Sequence, residues 1–127
     1  MNTSFFDNYK GKNAISIAGK CPEWYKGKQY KKLAPKYSWW EKWHNGEYDN
    51  QEYIRLYYET VLNKLDPIEV LKEMCNLLEI KFEGVNQPLD IVILCWETPE
   101  KFCHRHIVAE WLERELGIVI VELSLCA

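Results

Sequence analysis

The segment from Cys95 to His106 holds the side chains of this chain that are best suited to chemistry. It reads Cys-Trp-Glu-Thr-Pro-Glu-Lys-Phe-Cys-His-Arg-His and contains two thiols, two carboxylates, two imidazoles and two cationic groups. Thr98-Pro99 predicts a helix start inside it. A helix N-terminus beside Lys101 or Arg105 favours a bound phosphate and lowers the pKa of a nearby thiol. The segment therefore predicts an anion site next to a cysteine.

Three interpretations of these cysteines stay open. Cys95 ends an apolar run, and core packing alone explains it. Cys103 is followed by His104 and Arg105 and is a candidate thiolate nucleophile, with His104 or Glu97 as its acid or base. Metal binding is the third interpretation, but Cys-x7-Cys-His-x-His is not a standard zinc spacing. No metal is expected on this ground, and the pattern names no other cofactor.

Several well-known cysteine and phosphate sites are excluded by spacing. A Cys-x5-Arg phosphate cradle is absent, because the count from Cys95 reaches Lys101 and the count from Cys103 reaches Ala109. The chain also lacks a Gly-x4-Gly-Lys loop. Its five cysteines form no Cys-x2-Cys pair, so neither a zinc ribbon nor a secreted disulfide framework is predicted. Reduced thiols are expected.

A second candidate is the stretch of residues 20–37, which predicts a long binding loop. It shows no sustained helical or strand period and is interrupted by proline and glycine. Lysines interleaved with aromatic rings could contact phosphates and bases, whereas a solvated loop whose rings cover the core is the alternative. The side chains in question are Lys20, Lys26, Lys28, Lys31, Lys32 and Lys36 with Trp24, Tyr25 and Tyr30.

Charge is divided unevenly along the chain. Residues 1–40 carry eight lysines against two acidic residues, a net charge of +6, whereas residues 41–127 carry eight basic and seventeen acidic residues, a net charge of −9. A basic segment within an acidic chain favours one local anion-binding surface. No internal repeat is evident.

Length and composition predict one domain over residues 1–127. The 127 residues are 47% apolar and 28% charged, as in ordinary soluble domains. The longest apolar run, residues 91–96, is far shorter than the roughly 20 residues of a membrane span, and the first residues do not resemble a signal peptide. A cytoplasmic location without membrane contact is therefore expected.

Hydrophobic periodicity predicts the elements that position these side chains. The order strand, helices, strand, helix, strand indicates a single Rossmann-like, three-layer α/β domain with a small, mainly parallel sheet flanked by helices. Ligands in such sheets bind beyond the carboxyl ends of the strands. Strands are predicted at residues 14–18, 90–95 and 118–123. Helices are predicted from a Ser38–Glu41 capping box to His44, from Asn50, from Asp66-Pro67 with Ile68 in its buried face, and from Thr98 to Gly117.

Several of these motifs together resemble the domain of unknown function 488 family over nearly the whole chain. They are Ile-Ser-Ile-Ala at 15–18, Trp-Tyr-Lys-Gly-Lys-Gln-Tyr-Lys-Lys-Leu-Ala-Pro at 24–35, Tyr-Tyr at 57–58, Leu-Asp-Pro at 65–67, Leu-Cys-Trp-Glu at 94–97 and residues 102–112, which begin Phe-Cys-His-Arg-His. The resemblance implies a small Rossmann-like α/β fold but no particular activity. It draws attention to Ser16, Lys20, Tyr30, Leu33, Ala34, Pro35, Cys95, Glu97, Cys103, His104 and Arg105.

The leading hypothesis is that the chain binds a phosphate-bearing small molecule such as a nucleotide between residues 20–36 and the helix start at Cys103; processing of that molecule stays open. Catalysis would use Cys103, His104 and Glu97. The alternative is a binding module without turnover, directed at single-stranded nucleic acid, a sequestered nucleotide or a protein partner; a homo-oligomer stays open. The ligand contacts predicted are Ser16, Lys20, Trp24, Lys28, Tyr30, Cys95, Lys101 and Arg105.

Overall fold

Five strands form one all-parallel sheet in the computed structural model, which describes residues 1–125. They lie side by side in the order β3-β2-β4-β1-β5 and comprise β1 (Asn2–Phe5), β2 (Ala14–Ser16), β3 (Lys28–Gln29), β4 (Val92–Cys95) and β5 (Val121–Glu122). The apolar strand β4 lies at the centre and is buried throughout, as expected for a strand covered on both faces. The predicted small parallel α/β sheet is confirmed.

The sequence does not predict β1, because the first strand that it predicts lies at residues 14–18. The Asn-Thr-Ser sequence of β1 looks polar, yet Thr3 and Ser4 are buried. The Thr3 hydroxyl donates to the Glu122 carboxylate at 2.6 Å, and the Asn8 amide donates to the Ser4 hydroxyl at 3.1 Å. These partners allow polar residues inside the sheet, because a buried polar group is costly only when it lacks a hydrogen bond.

Four helices flank the sheet. They are α1 (Tyr37–His44), α2 (Asn50–Thr60), α3 (Pro67–Leu77) and α4 (His104–Leu116). Asp49 and Asp66 cap α2 and α3 by accepting hydrogen bonds from backbone N–H groups. Gly117 ends α4 with a φ of 68°, a left-handed conformation that glycine adopts readily. The predicted Asp66-Pro67 start and Gly117 end are confirmed.

Two predicted helix starts are wrong. α1 begins at Tyr37, and no side chain caps it, so Ser38 lies inside the helix and the predicted capping box is absent. Packing of Trp39 sets the position of α1: the Trp39 ring lies edge-on to the Tyr53 ring, with their centroids 4.9 Å apart. α4 begins at His104 instead of Thr98, because residues 98–101 fold into a turn in which the Lys101 N–H donates to the Thr98 carbonyl at 3.0 Å.

The helices and the sheet enclose one hydrophobic core. In α3 the buried side chains are Val70, Leu71, Met74 and Cys75. Ile68, predicted to face the core, is 39% exposed, because it lies at the first turn of the helix. No helix among the described residues is long and apolar enough to cross a bilayer.

Residues 20–37 contain more structure than the predicted loop. They include β3 and a 3-10 turn over Lys31–Leu33. The sequence hides β3 because its two residues, Lys-Gln, are polar and exposed, and only pairing with β2 reveals the strand. Within the described chain, the connections from β1 to β2 and from β2 to β3 contain no helix.

Candidate functional site

The carboxyl ends of β2 and β4 lie side by side and meet the start of α4. β4 ends at Cys95, and Cys103 immediately precedes α4. Cys95 and Cys103 are joined by a disulfide, whereas Cys21 and Cys75 are free thiols. The expectation of reduced thiols is therefore wrong for Cys95 and Cys103, because the fold closes the eight-residue separation between them. Cys95, Cys103 and His104 are called the thiol centre below.

His104 is held in a neutral form against the thiol pair. It is buried, and its Nε2 donates to the Ile17 carbonyl at 2.8 Å. Burial lowers the pKa of His104 to about 4; the positive charges of Arg105 and His106 act in the same direction, and the hydrogen bond to Ile17 opposes them. At neutral pH the ring therefore carries one proton, on Nε2, and Nδ1 has a lone pair.

Arg105 lies beside the thiol centre with its charge balanced inside the chain. It is fully buried; its Nε and Nη2 donate to the Glu122 carboxylate at 3.0 and 2.9 Å, and its Nη1 donates to the Glu97 carbonyl at 2.7 Å. Nη1 also lies 3.4 Å from the Cys95 sulfur. Each guanidinium nitrogen thus has a partner, and the predicted anion contact would require the pair with Glu122 to open.

The Glu122 carboxylate is held in its charged form. Burial alone would raise the pKa of Glu122, but the hydrogen bonds from Arg105 and Thr3 outweigh burial and lower it. Sequence patterns do not single out Glu122, because its partner Arg105 lies on another element.

Other predicted residues at this edge have local roles. The Ser16 hydroxyl is buried and accepts from the Ala18 N–H and the Cys21 thiol, both at 3.2 Å. The exposed Lys20 contributes its carbonyl, to which the Trp96 indole donates at 2.7 Å. Lys101 is exposed and Glu97 is half-buried, and they form a long ion pair at 4.0 Å. The buried Tyr30 donates to Glu73 of α3 at 2.8 Å, as does Lys32.

A second site lies at the other end of the strands, where their amino ends meet. The tetrapeptide Tyr-Lys-Gly-Lys occurs twice, at residues 9–12 and 25–28, once before β2 and once running into β3. β2 and β3 pair in parallel, with Ile15 opposite Lys28. Parallel pairing brings the amino ends of two strands together, so the two copies meet.

The two copies line a groove of about 450 Å³, called the lysine groove below. The Lys10 ammonium lies 4.5 Å from the centre of the Trp24 ring, which is 45% exposed. The Tyr25 hydroxyl donates to the Lys28 carbonyl at 2.8 Å. Burial, followed by the charge of Cys21, raises the pKa of Tyr25 to about 12, so this donor keeps its proton. The groove is lined by Lys10, Gly11, Lys12, Trp24, Tyr25, Lys26, Gly27 and Lys28.

The four lysines of the groove carry charge that no acidic side chain within residues 1–125 balances by an ion pair. No acidic side chain lines the groove, and none of the four forms an ion pair within residues 1–125. Lys32, in contrast, pairs with Glu73. The two glycines lie against tyrosine rings: a Cβ at Gly11 would meet the hydroxyl end of Tyr9 and one at Gly27 the hydroxyl end of Tyr25, so either ring would have to shift.

One family model matches the chain. It is DUF488-N3a, described as the active DUF488-N3 subclade, and it covers residues 12–116. The chain belongs to the DUF488-N3a family. The resemblance to the domain of unknown function 488 family is thereby confirmed. Comparison of this DUF488-N3a chain with curated proteins and with solved structures finds no match.

In this DUF488-N3a chain the predicted site residues are divided between two edges of the sheet. Trp24 and Lys28 line the lysine groove, whereas Cys95, Cys103 and Arg105 lie together at the carboxyl edge and line no part of that groove. Lys10 and Lys12 are not among the predicted contacts. The signal that identifies them is the repeated Tyr-Lys-Gly-Lys tetrapeptide, which overturns the expectation of no internal repeat.

Proposed function

We propose that the chain binds a phosphate-bearing small molecule, such as a nucleotide, in the lysine groove. The observation that carries this proposal is the convergence on one groove of four lysines that form no ion pair with the described residues, none of which contributes a carboxylate to the lining. An ammonium group is a strong donor to phosphate oxygens. Because no described acidic group neutralises these lysines, a bound phosphate does not have to displace an internal partner.

The volume of the groove and its exposed Trp24 ring favour a nucleotide over a bare anion as the ligand. Its volume of about 450 Å³ falls within the roughly 300–1,000 Å³ of small-molecule sites. Trp24 offers an exposed ring at the rim, and stacking of a base on an aromatic ring contributes about 1–3 kcal/mol. A base that stacks on this face displaces the Lys10 ammonium, which lies over the ring, and so frees that lysine to contact the phosphate.

The proposal keeps part of the sequence hypothesis and changes its location. The predicted contacts Trp24 and Lys28 remain in it, joined by Lys10, Lys12 and Lys26. Arg105 is left out because Glu122 occupies its guanidinium. Catalysis by Cys103 with His104 or Glu97 stays a separate prediction, which requires the disulfide to be reduced first.

Isothermal titration calorimetry tests the proposal, with ATP, AMP, adenosine and pyrophosphate as ligands at low salt. We expect ATP and AMP to bind and adenosine to bind much more weakly. The double variant Lys10→Ala/Lys26→Ala should weaken ATP about tenfold or more, since charged hydrogen bonds contribute roughly 1.5–3 kcal/mol each. Trp24→Ala should weaken AMP but leave pyrophosphate nearly unchanged.

The matched control is Lys31→Ala/Lys36→Ala, which removes the same charge from exposed lysines outside the groove. An equal loss of ATP binding in both double variants would contradict the proposal, because net charge alone would then explain the binding. A short single-stranded oligonucleotide that binds while ATP does not would favour the nucleic-acid alternative. Chromatography of the ATP samples reports turnover and separates an enzyme from a binding module.

A further inference from the structure

We infer that Cys95, Cys103 and His104 form a binding site for a zinc-class divalent cation in the reduced chain. The donors are two sulfurs and one imidazole nitrogen, and all three residues are buried. Their ligand atoms lie within 4.8 Å of one another. Sulfur and imidazole are the donors that zinc prefers, at about 2.3 Å and 2.0–2.1 Å, so small side-chain movements bring all three onto one ion.

The backbone around the two cysteines suits an ion between the sulfurs. Their Cα atoms are 7.3 Å apart. Two thiolates on one tetrahedral zinc ion have sulfurs about 3.8 Å apart, given a Zn–S bond of about 2.3 Å. The backbone spacing therefore matches a pair of thiolates that share a cation.

The orientation of His104 is a second, independent observation. Its Nε2–H donates to the Ile17 carbonyl at 2.8 Å, which leaves Nδ1 as the nitrogen with a lone pair. Metal-binding histidines usually donate their second ring N–H to a carbonyl or carboxylate, and this bond fixes the tautomer and the ring orientation. Ile17 follows directly after β2, so the sheet itself holds the imidazole in place.

The charges around the thiol centre suit a divalent cation. Two thiolates contribute two negative charges, and the positive Arg105 beside Cys95 is balanced by Glu122. A divalent ion therefore neutralises the centre, which matters because an unbalanced charge is costly in a buried site. The Arg105 guanidinium, 3.4 Å from the Cys95 sulfur, also favours the thiolate form that a metal requires.

The disulfide must be reduced before the two sulfurs can bind a cation. A water-soluble phosphine cleaves the Cys95–Cys103 bond and takes oxygen from one water molecule to become a phosphine oxide, while the two hydrogens of that water protonate the sulfurs. The cation then displaces these two protons. Three protein donors leave a fourth coordination position, as in catalytic zinc sites.

The test uses the full chain, stripped of metal and reduced by the phosphine, and titrates it anaerobically with Co²⁺. We expect one equivalent to bind, with sulfur-to-cobalt charge-transfer bands and the visible bands of a tetrahedral ion, and Zn²⁺ to displace it. Cys95→Ser and Cys103→Ser should lose the charge-transfer intensity and weaken binding by more than the roughly 10–100-fold typical of outer-shell changes. The oxidised wild type should not bind.

Cys75→Ser is the matched control, because Cys75 is a buried free cysteine on α3 that does not belong to the thiol centre. The inference is overturned if the reduced wild type shows no cobalt–sulfur bands, or if Cys103→Ser binds Co²⁺ as tightly as the wild type. Lys10→Ala/Lys26→Ala should bind Co²⁺ normally. Failure of the metal site and failure of the lysine groove are therefore distinguishable.

Discussion

Arg105 shows how the surroundings of one residue decide its role. The sequence places it next to Cys103 and His104, where a cation suggests an anion site. In the fold its side chain is fully buried and its charge is satisfied by Glu122 on β5. A buried pair of this kind contributes less than its short distances suggest, because both ions lose hydration. Removing one partner is nevertheless costly, since the other charge is left buried.

Glu122→Gln is expected to destabilise the chain by on the order of 2–3 kcal/mol at pH 7. The figure is below the roughly 3–5 kcal/mol of a fully buried pair, because the Glu122 side chain stays 22% exposed. The folded state lowers the pKa of Glu122 from its ordinary value of 4.5. Its contribution is therefore present above pH 4.5 and is lost as the pH falls through the folded pKa.

Urea unfolding of the wild type and the variant across this pH range checks the prediction. The two unfolding free energies should converge in acid. The exposed Glu115 near the end of α4 provides the control, and Glu115→Gln should change stability by less than about 0.5 kcal/mol. A constant difference between wild type and Glu122→Gln at every pH would contradict the assigned ion pair.

At the scale of elements, parallel pairing explains both candidate sites. The amino ends of β2 and β3 meet and bring the two Tyr-Lys-Gly-Lys copies together, while the carboxyl ends of β2 and β4 meet at the thiol centre. The helix starts show how unevenly sequence signals predict such elements. Asp66-Pro67 begins α3 as predicted, whereas Ser38 does not cap α1. The first signal is local to its own backbone; the second is overridden by packing of Trp39.

Asp66→Ala and Ser38→Ala should therefore differ in their effects. Asp66 accepts hydrogen bonds from two backbone N–H groups at the start of α3, so its loss should cost about 1 kcal/mol. Ser38 lies inside α1 and caps nothing, so alanine, the better helix former, should leave stability unchanged or slightly raised. Thermal and urea unfolding measure both; a similar loss in the two variants would restore the predicted capping box.

At the scale of the whole molecule, the division of charge has a structural outcome. The N-terminal third, with its net charge of +6, supplies all four lysines of the groove, whereas the rest of the chain is acidic. Charges separated by more than about 8 Å are largely screened at physiological salt. The groove can therefore attract an anion although the chain as a whole carries a net charge of −3.

Salt should weaken ligand binding at the groove through these local charges. Raising the salt concentration from about 50 mM to about 500 mM should reduce ATP affinity by on the order of tenfold, because exposed charges are increasingly screened. The slope of affinity against salt should be shallower for Lys10→Ala/Lys26→Ala and unchanged for Lys31→Ala/Lys36→Ala. Calorimetry at three salt concentrations measures it, and equal slopes in all three proteins would place the anion elsewhere.

The sequence alone determined the features that depend on local order along the chain. Periodicity and composition were enough for the parallel α/β class, for the apolar centre of β4, and for the Asp66 start and Gly117 end of their helices, because each depends on neighbouring residues. Tertiary structure decided the rest. The polar strands β1 and β3 form only by pairing with β4 and β2, respectively. Arg105 pairs with Glu122, Cys95 is bonded to Cys103, and the lysine groove lies apart from the thiol centre. Each of these depends on contacts between distant residues, which no local pattern records.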